Sequence, residues 1–173
     1  MKAIVVYASR YGSTGEIAEF IAEKLRQHGV EAEARNVDTS PNPEEYDAVV
    51  IGSAVYMGHW MEEVTKFVRQ NRTALANRPV WLFSSGPLEL GPEISSIDDP
   101  KLEPEEIPEL RGLIHPRDHK VFFGALFPDR LGFMHRTLRK LPAARAILPE
   151  GDFRNWNDIE AWASGIAQAL ATP

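Results

Sequence analysis

Ala3-Ile4-Val5-Val6-Tyr7-Ala8-Ser9-Arg10-Tyr11-Gly12-Ser13-Thr14 is the stretch that decides the fold. An unbroken apolar run followed at once by turn residues predicts a short strand buried on both faces. From Thr14 to His28, Ile17, Ala18, Phe20, Ile21, Ala22 and Leu25 recur at three- and four-residue spacing. That spacing predicts an amphipathic helix, and Gly29 supplies its C-terminal stop. A buried strand that passes through a small polar loop into a helix is the opening half of a βαβ unit.

The same grammar continues outward. Glu31 to Val37 alternates and reads as a weaker, edge strand, while Ala48 to Ile51 is a second apolar run after the turn Ser40-Pro41-Asn42-Pro43. Met61 to Val68 reads as a helix with Val64, Phe67 and Val68 on one side, and Val80–Phe83 and Val121–Leu126 read as strands. The last helix, Trp156 to Leu170, places Ile159, Trp162, Ala163, Ile166 and Leu170 toward the core, capped by Asn155 or Asn157. Five strands alternating with helices predict an α/β fold, a doubly wound five-stranded parallel sheet with helices on both faces. One domain is expected over residues 1–173.

Composition narrows the function classes. The 173 residues are 43% hydrophobic and 25% charged, which excludes a wholly disordered or collagen-like chain. A net charge of −6 argues against a general nucleic-acid binder. With zero cysteines there is no disulfide framework, thiolate metal site or cysteine nucleophile. No stretch approaches the roughly 18 to 20 apolar residues of a spanning helix, and Ala3–Ala8 is too short for a signal-peptide core. The expected location is the cytoplasm, with contact only at the surface of the membrane's inner face.

Two segments break the rhythm. Residues 85–118 are Pro-rich and carry nine Asp or Glu against Lys101, Arg111 and Arg117. The segment around 127–150 reads as an insertion of opposite sign, with Arg130, Arg136, Arg139, Lys140 and Arg145 and no acid from 130 to 145. Its Leu131, Phe133, Met134, Leu138 and Leu141 suit one face of a short helix. A cationic, partly apolar stretch of this kind lies on anionic lipid or lines the pocket of a hydrophobic, carboxylate-bearing substrate. The plainer alternative is a helix packed on the domain with its charges solvated.

In open parallel sheets, ligands bind beyond the carboxyl ends of the strands. Three segments leave predicted strands there. Ser9-Arg10-Tyr11-Gly12-Ser13-Thr14 puts hydroxyls, a glycine and a helix N-terminus around a small anion, as a phosphate monoester requires. An ordinary N-cap needs only one of those residues. In Gly52-Ser53-Ala54-Val55-Tyr56-Met57-Gly58-His59-Trp60, small residues admit a planar ligand on which Tyr56 or Trp60 stacks. Alternatively, Tyr56, Met57 and Trp60 pack onto the next helix. Ser84-Ser85-Gly86-Pro87-Leu88 is the third segment. Competing motifs are absent: there is no G-x-G-x-x-G, Walker A loop or H-E-x-x-H. Pro116 separates His115 from His119, so the pair reads as loop surface rather than as metal ligands. No metal site is expected.

With these residues in view, the chain resembles the flavodoxin superfamily, whose phosphate loop runs Ser/Thr-x-Thr-Gly-x-Thr; here Tyr11 stands in place of a hydroxyl. Within that superfamily it is most similar to the menaquinone-dependent protoporphyrinogen oxidase branch. The matching residues are Ser9-Arg10 with Gly12, Gly52 through His59, Gly124-Ala125-Leu126, Asp152 through Trp156, and the basic insertion. The resemblance implies FMN as cofactor. Ser9, Arg10, Tyr11, Gly12, Ser13 and Thr14 would hold the phosphate. The ring would lie between Ala54, Val55, Tyr56, Met57 and Gly58 on one side and Ser84, Ser85, Gly86 and Leu88 on the other. Tyr56 takes the stacking position and Gly58 lies near flavin N5. His59, Trp60, Arg130, Arg136, Arg139 and Lys140 are then expected to meet substrate or membrane. No side chain is expected to be catalytic, because the flavin carries the electrons. The implied activity is oxidation of a porphyrinogen with a quinone as acceptor. The alternatives are an electron-carrier flavodoxin serving redox proteins and a flavin-free, partner-binding domain of the same fold.

Overall fold

The apolar run of β1 (Lys2–Ala8) lies inside a sheet and hydrogen bonds on both sides. On one flank it pairs in parallel with β2 (Glu31–Asn36), Ala3 opposite Ala32. On the other it pairs in parallel with β3 (Ala48–Tyr56), Ala3 opposite Ala48. The computed structural model describes residues 1–130 and 150–172. β4 (His59–Trp60) folds back antiparallel on β3. β5 (Val80–Ser85) and β6 (Asp118–Phe122) complete the parallel order β2-β1-β3-β5-β6. A separate antiparallel pair joins β7 (Ala125–Leu126) to β8 (Gly151–Asp152).

Helices cover both faces, as two-sided burial of the strands requires. Alternation along β1 divides the core. Ala3 and Val5 pack with Ile17, Ile21 and Leu25 of α1 (Ser13–Gln27) and with Ile159, Ala163 and Ile166 of α5 (Trp156–Ala171). Ile4 and Val6 point the other way, toward Val64, Phe67 and Val68 of α2 (Glu62–Gln70), Leu75 of α3 (Arg72–Ala76), and Ile107 and Leu110 of α4 (Ile107–Ile114). Each such side chain, fully buried, is worth about 1.5–3 kcal/mol, so the two interfaces carry most of the favourable term. Gly29, at φ +83°, ends α1 as its sequence predicts. Asn155 caps α5 by accepting from the amides of Asn157 and Asp158.

Two expectations are corrected. The run Val121–Leu126 is not one strand. β6 starts earlier, at Asp118, and stops at Phe122, because Gly124 turns its amide to the Pro87 carbonyl and its own carbonyl to the Phe153 amide. β3 runs past Ile51 to Tyr56, since Ser53 and Ala54 still pair with Ser84 and Ser85. The Pro-rich segment 85–118, to which the sequence pattern assigns no element, contains a helix, α4, whose Ile107, Leu110 and Ile114 are buried against the sheet while Pro108, Glu109 and Arg111 lie outside.

Candidate functional site

The three segments that leave β1, β3 and β5 converge at the carboxyl edge of the sheet. The Arg10 guanidinium lies 4.9 Å from the centre of the Tyr56 ring, which bridges the first segment to the second. A Cβ placed on Gly86 would lie 2.9 Å from Val55 Cβ, so the third segment presses on the second. β1 and β3 are also where strand order changes direction, the position at which open α/β sheets hold their ligands.

The first segment is a loop closed on itself. Ser9 Oγ accepts from the Gly12 amide at 2.9 Å, and Gly12 adopts φ +93°, a left-handed conformation natural to glycine. Gly12 is also the N-cap of α1, and no side chain caps that terminus. The amides of the first turn therefore depend on an acceptor from outside the helix. Thr14 adds a second demand. It is fully buried, and its Oγ1 has no hydrogen-bond partner among the described residues. Leaving a buried hydroxyl unpaired costs about 1–3 kcal/mol. Neutral donors, exposed amides and the positive helix end together fit a phosphate monoester.

Two arginines stand beside this loop. Arg154, only 3% exposed, forms a bidentate pair with Asp152 at 2.8 and 2.7 Å. It also reaches the Ser13 carbonyl at 3.2 Å and Glu16 Oε2 at 2.7 Å. Its guanidinium lies 4.5 Å from the centre of the Trp156 ring. Arg130 bonds the other oxygen of Glu16. Burial pushes the Glu16 carboxyl upward, but hydrogen bonds from Arg154 and Arg130 outweigh it and hold the group below its ordinary range. Arg154 does the same to Asp152, against a smaller contribution from burial. The sequence pattern does not single out Arg154, Asp152 and Glu16 as site residues. The available signal was the alternation Asp152-x-Arg154-x-Trp156.

The second segment is a strand and a hairpin rather than a loop. Tyr56 pairs with His59, and the two residues between them, Met57 at φ +52° and Gly58 at φ +83°, form a turn with both backbones left-handed. Met57 is 98% exposed at the tip. The Tyr56 hydroxyl is pushed up to about 12, chiefly by burial. The Gly58 carbonyl accepts from the Glu105 amide at 3.0 Å, and Glu106 receives both the His59 ring at 2.9 Å and the Trp60 amide at 3.0 Å. The acidic segment thus clasps the hairpin. His59 is held above its usual value, first by the Glu106 hydrogen bond and then by Glu105.

Several sequence expectations change here. Trp60 is not a substrate or membrane contact: it is 4% exposed, with its indole N–H donated to Ser84 Oγ at 2.8 Å. Ser84 is correspondingly a structural residue, fully buried in β5, its hydroxyl also 2.8 Å from His119 Nε2. Ser85 is likewise buried in β5, and Ala54 in β3, so of the third segment Gly86, Pro87 and Leu88 reach partial exposure. His119 is a buried strand residue rather than loop surface, with a 3% exposed side chain whose Nδ1 lies 3.6 Å from Glu103. Burial drives it down to about 4, against the pull of Glu103. Gly52 is small for Phe83 rather than for a ligand, since a Cβ there would lie 2.0 Å from the Phe83 ring. Ser9, Arg10, Tyr11, Gly12, Ser13, Thr14, Tyr56, Met57, Gly58 and His59 do lie at the sheet's carboxyl edge. Arg136, Arg139 and Lys140 fall outside the described residues.

A cleft of about 790 Å³ runs along the outer side of α1, touching the loop at Ser9 and Gly12. Glu16, Glu19 and Glu23 line its far part, which gives that part the wrong sign for an anion. No helix among the described residues is long and apolar enough to cross a membrane.

The strand order β2-β1-β3-β5-β6 and the strand-to-helix loop at the switch point define a doubly wound, flavodoxin-like α/β protein. The chain belongs to the flavodoxin domain family, which matches residues 4–146. It is 35% identical over 86 residues to the protoporphyrinogen IX dehydrogenase (quinone) of Escherichia coli, covering 49% of this chain and 48% of that protein. The chain therefore spans about half the length of the curated relatives it matches. Among solved structures, a flavodoxin from the domain Archaea superposes with a TM-score of 0.61 at 17% identity, covering 99% of both chains. The rubredoxin oxygen:oxidoreductase of Desulfovibrio gigas superposes with a TM-score of 0.60 at 16% identity, over 98% of this chain and 36% of that one. At such identities the likeness is one of fold.

Proposed function

We propose that this chain binds FMN and works as an oxidoreductase that takes electrons from a hydrophobic, porphyrinogen-like substrate and delivers them to a quinone. The observation that carries the cofactor is Thr14, a buried hydroxyl without a partner among the described residues, at the start of a helix that none of their side chains caps. Ser9, Gly12, Ser13 and Thr14 would hold the phosphate; Tyr56, Met57 and Gly58, with Gly86 and Leu88, would flank the ring. When bound, the flavin supplies the electron-transfer chemistry. The protein's own contribution is position. The Arg10–Tyr56 stack orients an aromatic wall, the Glu106 clasp fixes the hairpin, and Met57 leaves its tip open to reactants.

The substrate class rests on the half-chain similarity to the Escherichia coli enzyme, together with the positive charge of the 127–150 segment. Arginines there suit propionate groups, or the anionic lipid in which a quinone is dissolved. The purified protein should be yellow or become so with added FMN. A colourless protein that leaves free flavin fluorescence unquenched defeats the cofactor claim. Anaerobic mixing with protoporphyrinogen should bleach the flavin, and menaquinone should restore its colour. A flavin that stays oxidised under protoporphyrinogen, yet accepts electrons from a reductase, marks a carrier flavodoxin instead.

A further inference from the structure

Arg130 opens the basic segment, and its position sets it apart from a surface charge. It closes a short turn, Pro128–Arg130, with its amide donated to the Phe127 carbonyl at 3.0 Å and its guanidinium 4.6 Å from the centre of the Phe127 ring. Its Nη1 bonds Glu16 in the first turn of α1. The same Nη1 lies 3.7 Å from the point where a Cβ on Gly12 would sit. The cation therefore stands against the tightest point of the phosphate loop, on the side where the helix begins.

Arg154 does not need Arg130's help with Glu16, since it reaches the second carboxylate oxygen itself and is neutralised by Asp152. A second arginine on one partly exposed glutamate adds little stability. We propose that Arg130 is the charged ligand of the FMN phosphate, and that Glu16 is the anion that competes with that phosphate for the same guanidinium. The proposal rests on the FMN reading and assigns this residue to the cofactor rather than to substrate or lipid. Neutral hydroxyls and amides serve any small anion, whereas a guanidinium fork adds two directed, charge-assisted bonds that favour a phosphate dianion. The buried hydroxyl of Thr14, unpartnered among the described residues, marks the place to which such an anion would bind.

Comparing FMN with riboflavin isolates the phosphate. The full chain, purified without added flavin, would be titrated with each and followed by quenching of flavin fluorescence. Arg130→Gln should weaken FMN binding roughly 10- to 100-fold and change riboflavin binding less than about twofold. Glu16→Gln should tighten FMN binding several-fold, and should do so less in the Arg130→Gln background. Arg130→Lys, which keeps the charge without the fork, should fall between and serves as the test if Arg130→Gln does not fold. Equal losses for both flavins would reveal a packing role and overturn the proposal, as would unchanged FMN binding. Failure of the unaltered chain to bind either flavin would instead overturn the cofactor reading beneath it.

Discussion

Thr14 and Ser84 show two opposite uses of a buried hydroxyl. Ser84 is satisfied twice, by the Trp60 indole and the His119 ring, so Ser84→Ala strands both partners and should cost about 1–3 kcal/mol in a denaturant melt. Thr14 has no described partner, so Thr14→Val, which keeps the shape, should leave the flavin-free protein as stable or about 1 kcal/mol more stable. The same change should weaken FMN binding; a large stability loss would show that the hydroxyl is structural. His119 makes a third prediction, about pH. Its folded value of about 4 lies below the ordinary 6.5, so the unfolded chain takes up a proton first as pH falls. Stability contributed by neutral His119 is complete above pH 6.5 and is lost as pH drops toward 4, on the order of 3 kcal/mol in all. Unfolding free energies of the native chain and of His119→Asn, compared across that window, should converge toward acid. Sequence pattern alone left this histidine on the surface, because burial in β6 depends on what α4 and residue Glu103 bring over it.

Among the elements, the strands were legible in proportion to their two-sided burial. β1 and β5 are continuous apolar runs and were read within two residues of their limits. The apolar pattern stops β3 at Ile51, before Gly52, a residue that ordinarily marks a turn. It remains in the strand because the Phe83 ring of β5 fills the volume its side chain would need. Gly52→Ala should therefore destabilise the protein by about 1–3 kcal/mol or more, and Phe83→Leu should recover part of the loss. Thermal melts of the two single variants and the double variant would show that coupling; additive losses would place the glycine's role elsewhere. α4 was hidden for a different reason. Its apolar spacing is short and flanked by prolines and acids, so composition masked a periodicity of only two turns.

For the whole molecule, Arg154 is the residue that joins separate parts of the chain. It connects the β8 strand and the aromatic head of α5, on either side of it in the chain, to the start of α1 more than a hundred residues earlier. Arg154→Met keeps the apolar stem but releases Asp152 and leaves Glu16 to Arg130 alone, both carboxylates being partly exposed so that water can take up the freed oxygens. A loss of about 2 kcal/mol is expected in denaturant, together with weaker FMN binding as α1 loses its anchor. Unchanged stability would mean that the helices dock without it.

What the sequence determined by itself is local and periodic. It set the alternation of strand and helix, the small polar loop with its glycine after β1, an asparagine cap at the start of α5 and the polarity of the two irregular segments, because dihedral preference and hydrophobic spacing act within a few residues. Only the tertiary structure decided which of the candidate groups face one another. It withdrew Trp60 and Ser84 into a buried pair, set Glu106 over the hairpin, and brought Arg130 to a loop more than a hundred residues earlier. Those outcomes follow from long-range register and side-chain packing, in which each contact depends on volumes and charges contributed by elements distant in the chain.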